Sequence, residues 1–264
     1  MKRASLALAA TLAASLGTPT LAASTDSVET FAGYTIAMSR LDASDLAMPS
    51  GLVAEGAERP LILYSGGTAF SRDRFGDTVM GALVPYGDVV VWDYPALVTP
   101  RGLPDVFAAE RLAREIGQWA RAEAEGRPLI LWGHSMGGFV TGQIARHANA
   151  DAVVLETTAK SPVEALALPR HAAMIPDEFA PLVPLLARYD IVEGLSAHEG
   201  ETVVFGASRD RVLPVELHRD LAQSLPDATY VEMPDANHFN TLGQSATRNA
   251  LRRLLQRLGV KTRQ

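Results

Sequence analysis

The sequence predicts an α/β protein, with a mostly parallel central sheet, helices on both faces and a small helical cap insertion. Two patterns carry that expectation. Short apolar runs rich in β-branched residues alternate with segments of helical periodicity. Strands buried on both faces and joined by crossover helices require that alternation. A glycine-rich turn, Gly133-His134-Ser135-Met136-Gly137, also stands directly between one such strand and one such helix. The length of 264 residues, 47% hydrophobic and 20% charged, suits one large domain with a real core.

The chain opens with Met1-Lys2-Arg3, an apolar Ala/Leu-rich run to about Leu16, and a break at Gly17-Thr18-Pro19. Charged start, apolar middle and small residues near a break are the parts of a secretory signal peptide. Thr20-Leu21-Ala22 puts small residues at −3 and −1, so cleavage is expected after Ala22, with Ala23 the neighbouring alternative. The apolar run is shorter than the roughly 20 residues a spanning helix needs, so no stable membrane anchor is expected. Residues 1–22 thus read as the signal peptide, residues 23–264 as the domain, and the compartment as periplasmic or secreted.

Within the domain, residues 31–40 and 51–55 read as antiparallel edge strands. Residues 61–65 and 88–92 are apolar strands ending at Gly66-Gly67 and at Asp93-Tyr94-Pro95. Over 105–125, Val106, Ala109, Leu112, Ala113, Ile116, Trp119 and Ala120 recur at spacings of three and four, one face of a helix that Gly126 stops. Residues 128–132 form the next strand and 139–147 the next helix. Strands follow at 152–156, 202–206 and 228–232, and a last helix over about 246–258. Residues 160–200 break the alternation. They carry Pro162, Pro169, Pro176, Pro181 and Pro184 among short apolar helices, and read as an insertion above the C-terminal sheet edge, either a small cap or a tight helical excursion. Its Leu166, Leu168, Met174, Ile175, Phe179, Leu182, Leu185 and Leu186 would either suit an acyl chain or pack on the body.

Composition excludes several chemistries. There is no cysteine, hence no disulfide, thiolate metal site, iron–sulfur cluster or cysteine nucleophile. The formal net charge of −6 gives no sign of nucleic-acid binding. No dinucleotide fingerprint or P-loop is present, and no metal-ligand spacing is evident.

Gly133–Gly137 fits G-x-S-x-G in the strand–turn–helix context that gives the motif meaning. A sharp turn lifts the serine hydroxyl clear of the sheet at a helix N-terminus, where developing negative charge is favoured. Ser135 then needs a base. His134 adjoins it, but the tight turn points that ring elsewhere. His147, His171, His198 and His218 fall in helical or cap segments and read as surface or packing residues. His238 instead follows the last strand, in Pro234-Asp235-Ala236-Asn237-His238-Phe239, at the sheet edge where the serine turn lies. The base needs a carboxylate to fix its tautomer. Asp210, in Gly206-Ala207-Ser208-Arg209-Asp210-Arg211 after the penultimate strand, fits that role. Glu156, ending the strand before, is the rival, and pairing with Arg209 or Arg211 is the alternative fate of Asp210.

The GHSMGG turn, the GASRDRVLP segment and the PDANHF segment together resemble the α/β-hydrolase superfamily, in its serine-esterase and lipase-like members, over nearly the whole mature length. The order Ser135, Asp210, His238 is that superfamily's order. The resemblance implies a serine hydrolase that cleaves a carboxylic ester through an acyl-enzyme. It implies no cofactor, and a small-molecule ester substrate with an apolar acyl group. A peptidase or thioesterase of the same fold, or a non-catalytic binding protein built on it, stays open. The oxyanion hole would use the amide of Met136 and one from Ser65-Gly66-Gly67-Thr68. The family often reads His-Gly there. Aligning Gly67 with that glycine puts Gly66 in the histidine's place and makes Thr68 the donor, with Gly67 its neighbour.

Export has a direct test. Intact mass of the protein recovered from periplasm or medium should give an N-terminus at Ala23 or Ser24. A cytosolic product retaining Met1 would refute the reading.

Overall fold

The computed structural model describes residues 24–42, 53–54, 58–96, 105–173, 175, 177 and 180–263. The expected signal peptide lies outside the described residues, as do Met174 and Phe179 of the cap. Among the described residues no helix is long and apolar enough to cross a membrane.

The chain begins with a hairpin, β1 (Thr25–Phe31) and β2 (Tyr34–Leu41). Then come a two-residue bridge β3 (Val53–Ala54), β4 (Leu61–Ser65), a π-helical turn at Arg72–Gly76 and α1 (Asp77–Leu83). β5 (Asp88–Trp92), α2 (Val106–Glu123), β6 (Leu129–His134), α3 (Met136–Ala148) and β7 (Ala152–Glu156) follow. Short helices α4 (Pro162–Leu166) and α5 (Pro169–Ala172), a 3-10 segment Ala180–Tyr189 and α6 (Ile191–Gly194) fill the interval before β8 (Glu201–Ala207). The chain closes with α7 (Val215–Ser224), β9 (Thr229–Met233), α8 (Ser245–Arg257) and β10 (Thr262–Arg263).

Eight strands form one sheet in the order β1-β2-β5-β4-β6-β7-β8-β9. β5 to β9 pair in parallel through β4, and β1 and β2 add an antiparallel edge. Alternate side chains feed two cores, as the two-residue period of a strand requires. Leu61, Leu63, Val90, Trp92, Leu131 and Leu155 pack with Leu112 and Ile116 of α2 and Ile144 of α3. Ile62, Tyr64, Val91, Ile130, Trp132 and Val154 pack with Met80 of α1 and Leu251 and Leu254 of α8. The apolar runs are therefore continuous because both faces are covered. The α2 face agrees with its sequence pattern, and Asp105 caps the helix by accepting from the Ala108 N–H at 2.9 Å.

Two expectations need correction, and a third, the insertion over 160–200, resolves between its alternatives. The antiparallel strand expected over 31–40 is β2 over Tyr34–Leu41, beginning after a turn at Ala32 (φ 51°) and Gly33 (φ 82°), and a further strand, β1, forms the true edge beyond it. The strand expected over 51–55 appears only as Val53–Ala54, which pairs with β10 in a separate two-stranded sheet rather than with the main one. The cap region forms short helices, but its described residues lean on the flank of α3. At that contact Gly194 approaches so closely that a Cβ there would lie 2.6 Å from the Gly142 carbonyl oxygen.

Strand order reverses at β4, with β5 on one side and β6 on the other. The crevice outside the carboxyl ends of β4 and β6 is where such sheets bind ligands. The first turn of α3 reaches into it. A Cβ on Gly137 would stand 1.9 Å from the Ser65 carbonyl oxygen at the end of β4. Gly137→Ala should therefore force backbone apart and cost about 1–3 kcal/mol in urea denaturation. An unchanged midpoint would mean that this contact is not tight.

Candidate active site

β6 delivers Ser135 to the crevice, and its backbone is strained to do so. Ser135 sits at φ 55°, ψ −120°, outside the regions open to most side chains. Neighbouring strands hold it there. Its N–H donates to the Glu156 carbonyl at 2.9 Å, and the Thr158 hydroxyl donates to its carbonyl at 2.8 Å. Met136 opens α3, so its amide has no partner within the helix.

The loop after β4 faces the serine. A Cβ on Gly67 would stand 3.2 Å from Ser135 Cβ, and the Thr68 hydroxyl lies 3.6 Å from Met136 Sδ. The loop's own turn runs from the Phe70 N–H to the Gly67 carbonyl at 2.9 Å and leaves the Thr68 amide outside it. Gly66 leaves no room for a side chain, and the reason is local. A Cβ there would overlap the Phe70 ring at 2.1 Å.

The loops after β8 and β9 bring Asp210 and His238 together. His238 Nδ1 lies 2.6 Å from Asp210 Oδ2. A carboxylate only accepts, so Nδ1 carries the proton, and Nε2 of the neutral ring keeps a lone pair. The other carboxylate oxygen accepts from the Val212 and Leu213 amides at 2.7 and 2.9 Å. The Asp210 side chain is fully buried. Arg209 pairs with Asp235 instead. Glu156, the rival acid, takes bonds from Trp132 Nε1 at 2.7 Å and from the Thr241 hydroxyl.

Ser135 and His238 line one pocket of about 340 Å³. Tyr64, Phe70, Phe75, Val79, Phe239 and Leu242 form its apolar walls, and Glu156 lies at its lining too. None of the described cap residues contributes. Leu168 packs on the core, and Leu185 is 49% exposed. Among the described residues no group of three or more His, Asp or Glu side chains is arranged to hold a metal ion.

One site residue escaped the sequence reading. The His134 ring does not point away from the site. It lines the pocket, and its Nε2 lies 2.8 Å from the backbone carbonyl of His238. Since a carbonyl only accepts, Nε2 must donate. Burial depresses the His134 pKa and favours the neutral ring. His134 thereby ties the serine turn to the histidine loop. No spacing rule announces a partner 104 residues away.

The sheet order, the switch point at β4 and the strained serine turn between β6 and α3 define the α/β-hydrolase fold. Solved structures agree. The chain is similar to Est1E from Butyrivibrio proteoclasticus, at 14% identity and a TM-score of 0.68 over 89% of this chain and 99% of that one. It is similar to an esterase from the fungus Rhizomucor miehei, at 18% identity and a TM-score of 0.65 over 96% and 88%. A serine hydrolase without lid from Xanthomonas campestris matches at 18% identity and a TM-score of 0.58 over 89% and 95%. No protein-family model matches the chain, and no curated protein does. These likenesses carry the fold; the chemistry rests on the site.

Proposed function

We propose that this protein is an exported serine hydrolase that cleaves a small carboxylic ester through an acyl-enzyme. The observation that carries the reading is the 2.6 Å bond between buried Asp210 and His238 beside a strained serine in one pocket. In the proposed mechanism, His238 Nε2 takes the Ser135 hydroxyl proton as Oγ attacks the ester carbonyl. The Met136 and Thr68 amides hold the oxygen that becomes negative. Asp210 stabilises the imidazolium that forms. His238 then gives its proton to the departing alcohol, and in the second half it activates water to release the acid. No cofactor enters any of these steps.

The substrate follows from the pocket's walls. Phe70, Phe75, Val79 and Leu242 offer apolar surface of a size that suits a short or medium acyl chain. The cap leucines named from the sequence are not needed for it. The esterase named among the similar structures accords with an ester substrate.

Hydrolysis of 4-nitrophenyl esters of graded chain length, run beside aminoacyl-arylamides, tests the reading. A fluorophosphonate should label Ser135. Ser135→Ala and His238→Ala should each lower kcat by about 10³-fold or more, and the double variant should be little worse, because the two act as a unit. Additive losses would refute the pairing.

The acid is tested separately. Asp210→Asn frees the imidazole to take the wrong tautomer, a loss on the order of 10⁴-fold in kcat. Glu156→Gln should keep most of the activity. The reverse pattern, with both variants folded by circular dichroism, would move the acid to Glu156.

A further inference from the structure

His218 lies on α7, on the inner face it shares with Val215, Leu221 and Ala222. Its side chain is fully buried. Nδ1 faces the Ala207 N–H at 3.4 Å, and an N–H can only donate, so Nδ1 is the unprotonated nitrogen. The proton of the neutral ring is then on Nε2. That atom is buried and makes no hydrogen bond. It stands 3.5 Å from Asp210 Oδ2, the same oxygen that holds His238. A buried N–H without a partner costs about 1–3 kcal/mol, so such a group is rarely kept without a reason.

We propose that His218 is a second imidazole on the Asp210 carboxylate, a positioning residue whose Nε2–H holds and partly neutralises the acid that orients His238. The inference rests on the serine-hydrolase reading for its catalytic consequence, but not for its geometry. Asp210 Oδ1 is already saturated by two backbone amides. Oδ2 has His238 on one side and His218 on the other. When His238 takes up the serine proton, the Asp210 charge must stabilise it without capturing the proton. A second donor on the same oxygen, closing from 3.5 Å, draws off part of that charge and keeps the carboxylate the weaker base.

The groups facing His218 are consistent with a neutral ring. Asp210 approaches from the loop after β8, His238 from the loop after β9, Glu216 from α7 itself and Glu232 from β9. Burial outweighs the three carboxylates and lowers the His218 pKa to about 4. The His218 ring is therefore uncharged at neutral pH.

The test is the pH profile of kcat/KM on a 4-nitrophenyl ester for His218→Phe and His218→Gln. The phenyl ring fills the space without a donor, and the Gln amide restores one. With His218→Phe, Asp210 holds the imidazolium more tightly. The acid limb should move up by roughly half to one pH unit, and because Asp210 loses the contact that positions it against His238, kcat should fall on the order of tenfold with KM unchanged. His218→Gln should recover most of both. A folded His218→Phe variant with the parent limb and kcat would overturn the proposal. If His218→Phe does not fold, ¹⁵N-histidine NMR of the parent protein decides. Neutral His218 must carry its proton on Nε2 at pH 7. A proton on Nδ1, which would turn a lone pair toward the carboxylate, overturns the proposal. A parent protein inert toward every ester would defeat the hydrolase reading alone, because the tautomer and the His238 titration remain readable.

Discussion

The close approach of α3 to the end of β4 is the constraint on which the site depends. Only a residue without Cβ at 137 lets the first turn of the helix sit on the Ser65 carbonyl. That contact fixes how sharply β6 must bend into α3, and Ser135 absorbs the bend at φ 55°. Strain of this kind costs about 1–3 kcal/mol and persists only where the surroundings over-determine it. Here they do. The Ser135 amide and carbonyl are bonded to Glu156 and Thr158 from the neighbouring strand and the loop after it. The same geometry places the free Met136 amide beside the loop that carries Thr68.

A second dependence is electrostatic. Asp210 is buried, and a buried carboxyl group needs hydrogen-bond donors around it. Two loop amides serve one oxygen, and imidazoles flank the other. His134 adds a mechanical link, since its bond to the His238 carbonyl couples the β6 turn to the loop after β9. Three histidines thus occupy three distinct environments around one proposed proton path, and the one bonded nitrogen of each ring sets its tautomer.

The sheet was legible in the sequence where strands are buried on both faces. Leu61–Ser65, Asp88–Trp92 and Ala152–Glu156 lie where their apolar runs put them. β1 escaped because Thr25–Phe31 is polar and mostly exposed; its strand conformation comes from pairing with β2, not from its own pattern. Arg72–Leu83 escaped because Gly76 and Gly81 interrupt a short helical period. That Ser135, Asp210 and His238 come together was legible because each follows a strand at one sheet edge, and topology brings such loops together. His218 left a trace. Its spacing with Val215, Leu221 and Ala222 marks an inward face, but a pattern of faces does not say which buried group a ring will meet.

The pocket's position has its own physical origin, and its walls Tyr64, Phe70, Val79 and Leu242 belong to the core layer covered by α1 and α8. Phe70 packs against Tyr64 with centroids 5.6 Å apart and against Phe75 at 6.4 Å. The same Phe70 ring fills the space where a side chain at 66 would project. One aromatic side chain therefore forms a pocket wall and also dictates the backbone of the loop that carries Thr68. In the proposed mechanism, an acyl group seated against Phe70 would bear directly on that loop. Under the proposed function, binding of the apolar part of a substrate and alignment of the oxyanion donor would then be mechanically coupled. Such coupling lets contacts remote from the reacting carbon act on the transition state rather than on substrate binding alone.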